Sequence, residues 1–144
     1  MLEKGFKLED VKELAKDFLE ETYKMELDIP IIFKRRIGKR WGYFTYSSYE
    51  QDVKINGKQH KKGEVVAGSE VIVLREELRK ASNLDVVEKI IKHELVHYVF
   101  YKKGIPFGDD DEDFNKELER LHLTKGVVSR EMLGLKRKVK INFL

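Results

Sequence analysis

Apolar residues recur at helical spacing early in the chain: Leu8, Val11, Leu14, Ala15, Phe18, Leu19 and Tyr23, with Lys and Glu between them. That pattern predicts an amphipathic helix over about 8–26, ended before Pro30. The character then changes. Residues 29–33 and 41–46 are β-branched and aromatic, 53–55 alternate, and 71–74 form a short apolar run. With Asn56-Gly57 as a turn signal, they predict a small, mainly antiparallel sheet of three or four strands. A polar loop over about 57–63 crosses it. Glu76 to Ala81 reads as a short helix. A longer one is predicted from about Val86 to Lys102, with Asp85 as N-cap and Glu88 three residues on. Its apolar face, including Val87, Ile90, Ile91, Leu95 and Val99, is wide enough to be largely buried. Lys102-Lys103 suit the negative end of its dipole, and Gly104 followed by Pro106 stops it. A last helix over 112–121 turns Phe114, Leu118 and Leu121 inward. The expected class is α+β, with the sheet packed against the N-terminal helix and the long helix.

Composition adds limits. At 144 residues the chain reads as one domain, 1–144, with its core over about 8–122 and a basic tail over about 125–144. No apolar run approaches the roughly 18 residues of a membrane span. Cysteine is absent, which excludes disulfides and thiolate metal sites and fits a reducing compartment. The start, Met1-Leu2-Glu3-Lys4, leads into a polar helical stretch without the apolar segment of a signal peptide. The expected location is the cytoplasm.

Chemistry concentrates on the long helix, in His93-Glu94-Leu95-Val96-His97. Histidines four apart project from one face, within reach of a single ion. Glu94 stands where a carboxylate can take a proton from a water that the ion polarises. The plainer reading is a pair of core histidines hydrogen-bonded to neighbours. It fits poorly, because two His and a Glu are hard to hide on an otherwise apolar helix. A catalytic zinc site needs a third protein ligand. The metzincin continuation would require Gly at 100 and His at 103, where this chain has Phe100 and Lys103. His60 and His122 read as surface histidines. Five consecutive carboxylates, Asp109 to Asp113, follow one loop after the helix. Such a run is usually a solvated turn and helix start, yet here any of them could swing in as the third ligand.

His93-Glu94-Leu95-Val96-His97-Tyr98, then Gly104, then Asp111-Glu112-Asp113-Phe114, resembles the SprT-like metalloprotease domain in its compact bacterial form. Members of that form read H-E-L-C-H-Y, a glycine, then H-R-D-x-D-F at the same spacing. The segment Arg40-Trp41-Gly42-Tyr43-Phe44 resembles the family's aromatic-glycine stretch, so the likeness covers about 8–122. It implies a zincin-like minimal metalloprotease holding one Zn²⁺, with His93 and His97 as ligands and Glu94 as general base toward a protein substrate. The family's third ligand is histidine. The bacterial register places Asp109 there, and alignment on the H-G-x-E-F style of other members places Asp110. The cysteine zinc ribbon of many relatives has no counterpart. Two other readings stand beside this one. A gluzincin-like, repressor-cleaving peptidase would take its third ligand from the last helix, at Asp113 or Glu117. A non-catalytic DNA- or protein-binding module would keep a vestigial metal site. Tyr98 or a sheet tyrosine is the candidate for oxyanion stabilisation.

Charge is unevenly spread although the net is +3. Lys34, Arg35, Arg36, Lys39 and Arg40 put five cations in seven residues beside Trp41 and Tyr43, a candidate phosphate-and-stacking surface for DNA. A solvated basic strand edge, protected against aggregation, accounts for them equally well. Residues 125–144 carry six Lys/Arg and one Glu, whereas 109–119 carry seven acids and Lys116. A polyanion would avoid the acidic loop. Relatives in the SprT-like family that act on DNA-bound proteins add to the DNA reading by analogy.

Overall fold

A computed structural model describes residues 2–123 and 126–136. The class is α+β: three α-helices, a three-stranded mixed sheet and a separate β-hairpin among the described residues. Helix α1 (Leu8–Tyr23) buries Val11, Ala15, Phe18 and Leu19. It closes earlier than the apolar spacing suggests, on Lys24 in the left-handed region (φ 55), with no part played by Pro30.

Strands β1 (Ile31–Lys34), β2 (Gly42–Thr45) and β5 (Val71–Arg75) form the sheet in the order β1-β5-β2. β5 pairs with β1 in parallel and with β2 antiparallel. The expected mainly antiparallel sheet is therefore corrected to a mixed one, because the chain returns to β1 by a long crossover instead of a turn. β5 is central, so Ile72, Val73 and Leu74 are all buried and the strand reads as a continuous apolar run. β3 (Val53–Ile55) and β4 (Lys58–His60) form their own hairpin outside the sheet. β4 occupies part of what reads in the sequence as a polar loop, since both of its faces are largely exposed.

A turn of 3-10 helix, Glu76–Lys80, leads to α2 (Leu84–Lys103). Asn83 stands at its N-cap, which moves the start two residues ahead of the expected Asp85. The expected capping box does not form. Asp85 lies in the first turn, and the Glu88 carboxylate accepts the backbone N–H of Leu2 at 3.3 Å. At the far end Gly104 takes the left-handed C-cap (φ 69), as its position predicts. α3 (Glu112–Arg120) packs on α2 through Phe114 and Leu118, both buried.

The core reaches beyond the expected limits of about 8–122. Leu2 and Phe6 join it at one end, Val128 and Leu133 at the other. The Leu133 carbonyl accepts the N–H groups of Ser82 and Asn83, each at 3.1 Å, and Arg130 forks onto Glu77 at 2.9 and 2.5 Å. Residues 126–136 are thus part of the fold and secure the entry to α2. Of the expected basic tail, Lys125, Arg137, Lys138 and Lys140 lie outside the described residues. Leu133→Ala is expected to cost about 2–5 kcal/mol in urea unfolding, because Leu133 is fully buried. A change under about 0.5 kcal/mol would mean that the segment merely lies on the surface. Among the described residues no helix is long and apolar enough to cross a membrane.

Candidate metal centre

The motif helix α2 is largely buried, yet its polar motif groups do not face the core alone. His93, Glu94 and His97 line a cleft of about 710 Å³ between α2, β2 and the loop before α3. The His93 and His97 Nε2 atoms stand 3.2 Å apart. The Asp109 Oδ1 atom is 3.5 Å from His93 Nε2 and 3.2 Å from His97 Nε2. Donors bound about 2.0–2.2 Å from a tetrahedral zinc are separated by roughly 3.3–3.6 Å, so this triangle is close to the size such an ion requires.

Tautomer and charge point the same way. The His97 Nδ1–H donates to the Phe107 carbonyl at 2.5 Å, which leaves the lone pair on Nε2. That lone pair and the Asp109 carboxylate repel across 3.2 Å unless a positive centre lies between them. Burial, and then the neighbouring His93, holds His97 below its usual pKa and therefore in the neutral form a metal requires.

The acidic loop is built to present Asp109. Gly108 N–H donates to the Asp111 carboxylate at 2.6 Å, and Asp111 N–H donates back to the Gly108 carbonyl at 3.0 Å. The Asn115 side-chain amide donates to the backbone carbonyls of Asp109 and Asp111 at 2.8 and 3.0 Å. This clamp closes a tight turn whose first carboxylate reaches the imidazoles. Asp110 lines the cleft, whereas Asp113 and Glu117 do not. Glu117 is engaged elsewhere, accepting from Tyr23 Oη at 2.5 Å and from Arg120 at 2.6 and 3.0 Å. A third ligand from the body of α3 is therefore not what the fold brings to the histidines.

Among the described residues Glu94 is the one charged side chain that is buried, at 7% exposure. Its carboxylate comes within 4.8 Å of both imidazole donors, so it too lies within reach of an ion there. Asp109 has the better claim to ligation, because its oxygen already sits at ligand separation from both nitrogens. Burial pushes Glu94 up to about 8, with the Asp109 charge adding to the rise and Arg40 opposing it. A cation beside it would favour the carboxylate again. Gly42 of β2 explains how Glu94 fits. A Cβ at that position would stand 3.0 Å from Leu74 Cδ2, 3.2 Å from the Val73 carbonyl and 3.4 Å from Glu94 Cγ.

Several groups that the sequence does not advertise complete the site. Phe114 stacks on His97 (centroids 4.1 Å, 22°) and meets His93 edge-on (5.5 Å, 78°). Phe107 and Asn115 act through a backbone carbonyl and an amide, and no motif marks either role. Tyr98 is corrected as an oxyanion candidate: it is fully buried and its hydroxyl donates to Asp28, away from the cleft. His60 stacks on Tyr49 and bonds Glu64 in the hairpin region, and His122 lies outside the cleft.

Lys34, Arg35, Arg36, Lys39 and Arg40 are all exposed, and Lys39 and Arg40 line the cleft. The aromatics beside them are less open than the sequence suggests. Arg40 covers one face of Tyr43 at 4.2 Å and Arg75 one face of Trp41 at 4.7 Å. No family model matches the chain, and no curated protein or solved structure matches it.

Proposed function

We propose that the chain is a zinc-dependent peptidase of the zincin type, a SprT-like domain in which aspartate replaces the third histidine. The convergence of His93 Nε2, His97 Nε2 and Asp109 Oδ1 at 3.2–3.5 Å beside a buried glutamate carries this reading. His93, His97 and Asp109 would hold one Zn²⁺. When bound, zinc supplies Lewis acidity, making water acidic near neutral pH and drawing electron density from a carbonyl. Glu94 takes the proton of the attacking water as the C–O bond forms. It then delivers that proton to the amine nitrogen as the C–N bond breaks. The Glu94 pocket suits both tasks, since burial makes the protonated acid easy to hold. An extended substrate would add to the free edge of β2, which ends the sheet next to Glu94.

Metal analysis of point variants tests the ligand set. His93→Ala and Asp109→Ala are expected to abolish stoichiometric zinc, whereas Asp110→Ala and Asp113→Ala retain it. Loss of zinc in Asp113→Ala alone would favour the gluzincin-like reading. DNA as a partner draws on one observation, the run of exposed cations that ends at the cleft in Lys39 and Arg40. If DNA presents the substrate, affinity should fall steeply with salt, and the slope should flatten when Lys34 to Arg40 are neutralised. Identical slopes for both proteins would remove DNA from the account.

A further inference from the structure

Among the described residues no strand pairs with the outer edge of β2, and that edge has a definite register. Arg75 N–H donates to the Trp41 carbonyl at 2.8 Å, and Gly42 lies opposite Leu74. Trp41 and Arg75 are therefore a hydrogen-bonded pair. By the antiparallel alternation, Gly42 and Phe44 turn their N–H and C=O groups to the open side. A peptide strand paired there runs directly past Glu94.

The two ends of this path differ. Gly42 lies beside Glu94, and the Phe44 ring meets Tyr98 and Tyr101, so β2 and α2 progress in the same direction. Ile90 is one turn ahead of Glu94, on the Trp41 side. There the cleft wall is apolar, made of Trp41, Ile90, Leu118, Val127 and Val128, with Lys39 and Arg40 beside it. Beyond the histidines the cleft meets Asp109 and Asp110 alongside Phe44 and Phe107, so there carboxylates interrupt the apolar lining.

Val127 stands out within that wall. Among the described residues it is 95% exposed, whereas the other exposed large apolar side chains lie at 37–43%. Its neighbour in the chain is held in place. The Trp41 indole N–H donates to the Val128 carbonyl at 2.7 Å, and Val128 and Leu133 are anchored in the core. An apolar side chain at a cleft wall and left to water gains most from a nonpolar occupant.

We propose that this pocket, with Val127 as selector, receives a nonpolar side chain of an extended peptide substrate and discriminates against a cationic one. The proposal deepens, and rests on, the peptidase reading. Lys39 and Arg40 supply the second half of the discrimination, by repelling lysine or arginine in the peptide.

Trp41 is the only tryptophan in the chain, so its emission reports the pocket. The probes are short tryptophan-free peptides, identical except for a central Leu, Phe, Asp or Lys, titrated into the Glu94→Gln protein so that none is consumed. Leu and Phe peptides are expected to bind about tenfold more tightly than the Lys peptide. Val127→Asp should remove about that factor for Leu, while Met132→Asp, exposed on the same segment but outside the cleft wall, leaves it unchanged. Equal affinity for the Leu and Lys peptides, tighter binding of the Asp peptide, or a Val127→Asp protein that binds Leu as before would each overturn the proposal. Selective binding without cleavage by the wild-type protein would instead count against the peptidase reading and leave the pocket's selectivity standing.

Discussion

Glu94→Gln is expected to lower peptide hydrolysis by about 10²–10⁴-fold while zinc stays bound, and also to change how the metal-free protein responds to pH. The first effect follows from removing the only carboxylate buried beside the two imidazoles among the described residues. The second follows from linkage. The Glu94 pKa is raised from 4.5 to about 8, so folding favours its neutral form. Stability from this group is fully present below about pH 4.5 and is lost as pH rises through about 8. Between pH 5 and pH 8 the metal-free wild type should lose on the order of 4 kcal/mol relative to Glu94→Gln, at about 1.4 kcal/mol per pH unit. His97 acts in the opposite sense. Its lowered pKa costs stability as pH falls below about 6.5, but it does so in both proteins, and the difference between them isolates Glu94. Urea unfolding in chelator at pH 5 and pH 8 measures that difference. Parallel stability profiles would show that Glu94 is not buried as described. Added zinc should shrink the wild-type loss, because a neighbouring cation favours the carboxylate.

Phe114→Ala is expected to damage the fold and the metal centre together. The ring is fully buried, stacks on His97, meets His93 edge-on and packs against Phe100 at 5.8 Å. Loss of a buried aromatic costs about 3–5 kcal/mol, or a fall of roughly 10–15 °C in Tm for a chain of this length. The cavity also frees both imidazoles to rotate, so zinc affinity measured by chelator competition should weaken by about 10–100-fold. The competition is run well below the new Tm, and Phe114→Leu, which refills part of the space, should recover some of the affinity. An unchanged zinc affinity in Phe114→Ala would reduce the ring to a core filler with no hold on the site.

What could be read from the sequence was local. α2 was legible because apolar spacing, the Gly104 stop and the cations near its end all agree, and His93, Glu94 and His97 followed from the helical repeat. The hairpin turn was legible because Asn56 and Gly57 take positive φ (50 and 78), as that dipeptide prefers. The pairing of β1 with β5 was not, since Ile31 and Ile72 are remote in sequence and short apolar strands carry no mark of direction. Nor could one candidate ligand be preferred among Asp109 to Asp113 by residue type, because the five groups are chemically alike. What singles out Asp109 is the turn that the Asn115 clamp and Asp111 hold, together with the docking of α3 through Phe114 and Leu118 that carries this turn to the imidazoles. The tail misled for a related reason. Its cations dominate the composition, while its structural weight rests on Val128 and Leu133.

The hairpin carrying β3 and β4 closes at its own base. Ser48 bridges Val65, Tyr49 N–H donates to the Glu64 carbonyl at 3.0 Å, and Gly63 N–H donates to the Tyr49 carbonyl at 2.8 Å. The sheet therefore registers only where this excursion leaves and returns, not how long it is. Closure entropy grows with the logarithm of loop length, at about 0.6 kcal/mol per doubling. Residues 50–62 are in that sense a modular port. A reporter domain or an affinity handle grafted there would ride on the molecule without altering the spacing of β2, β5 and α2 on which the cleft depends.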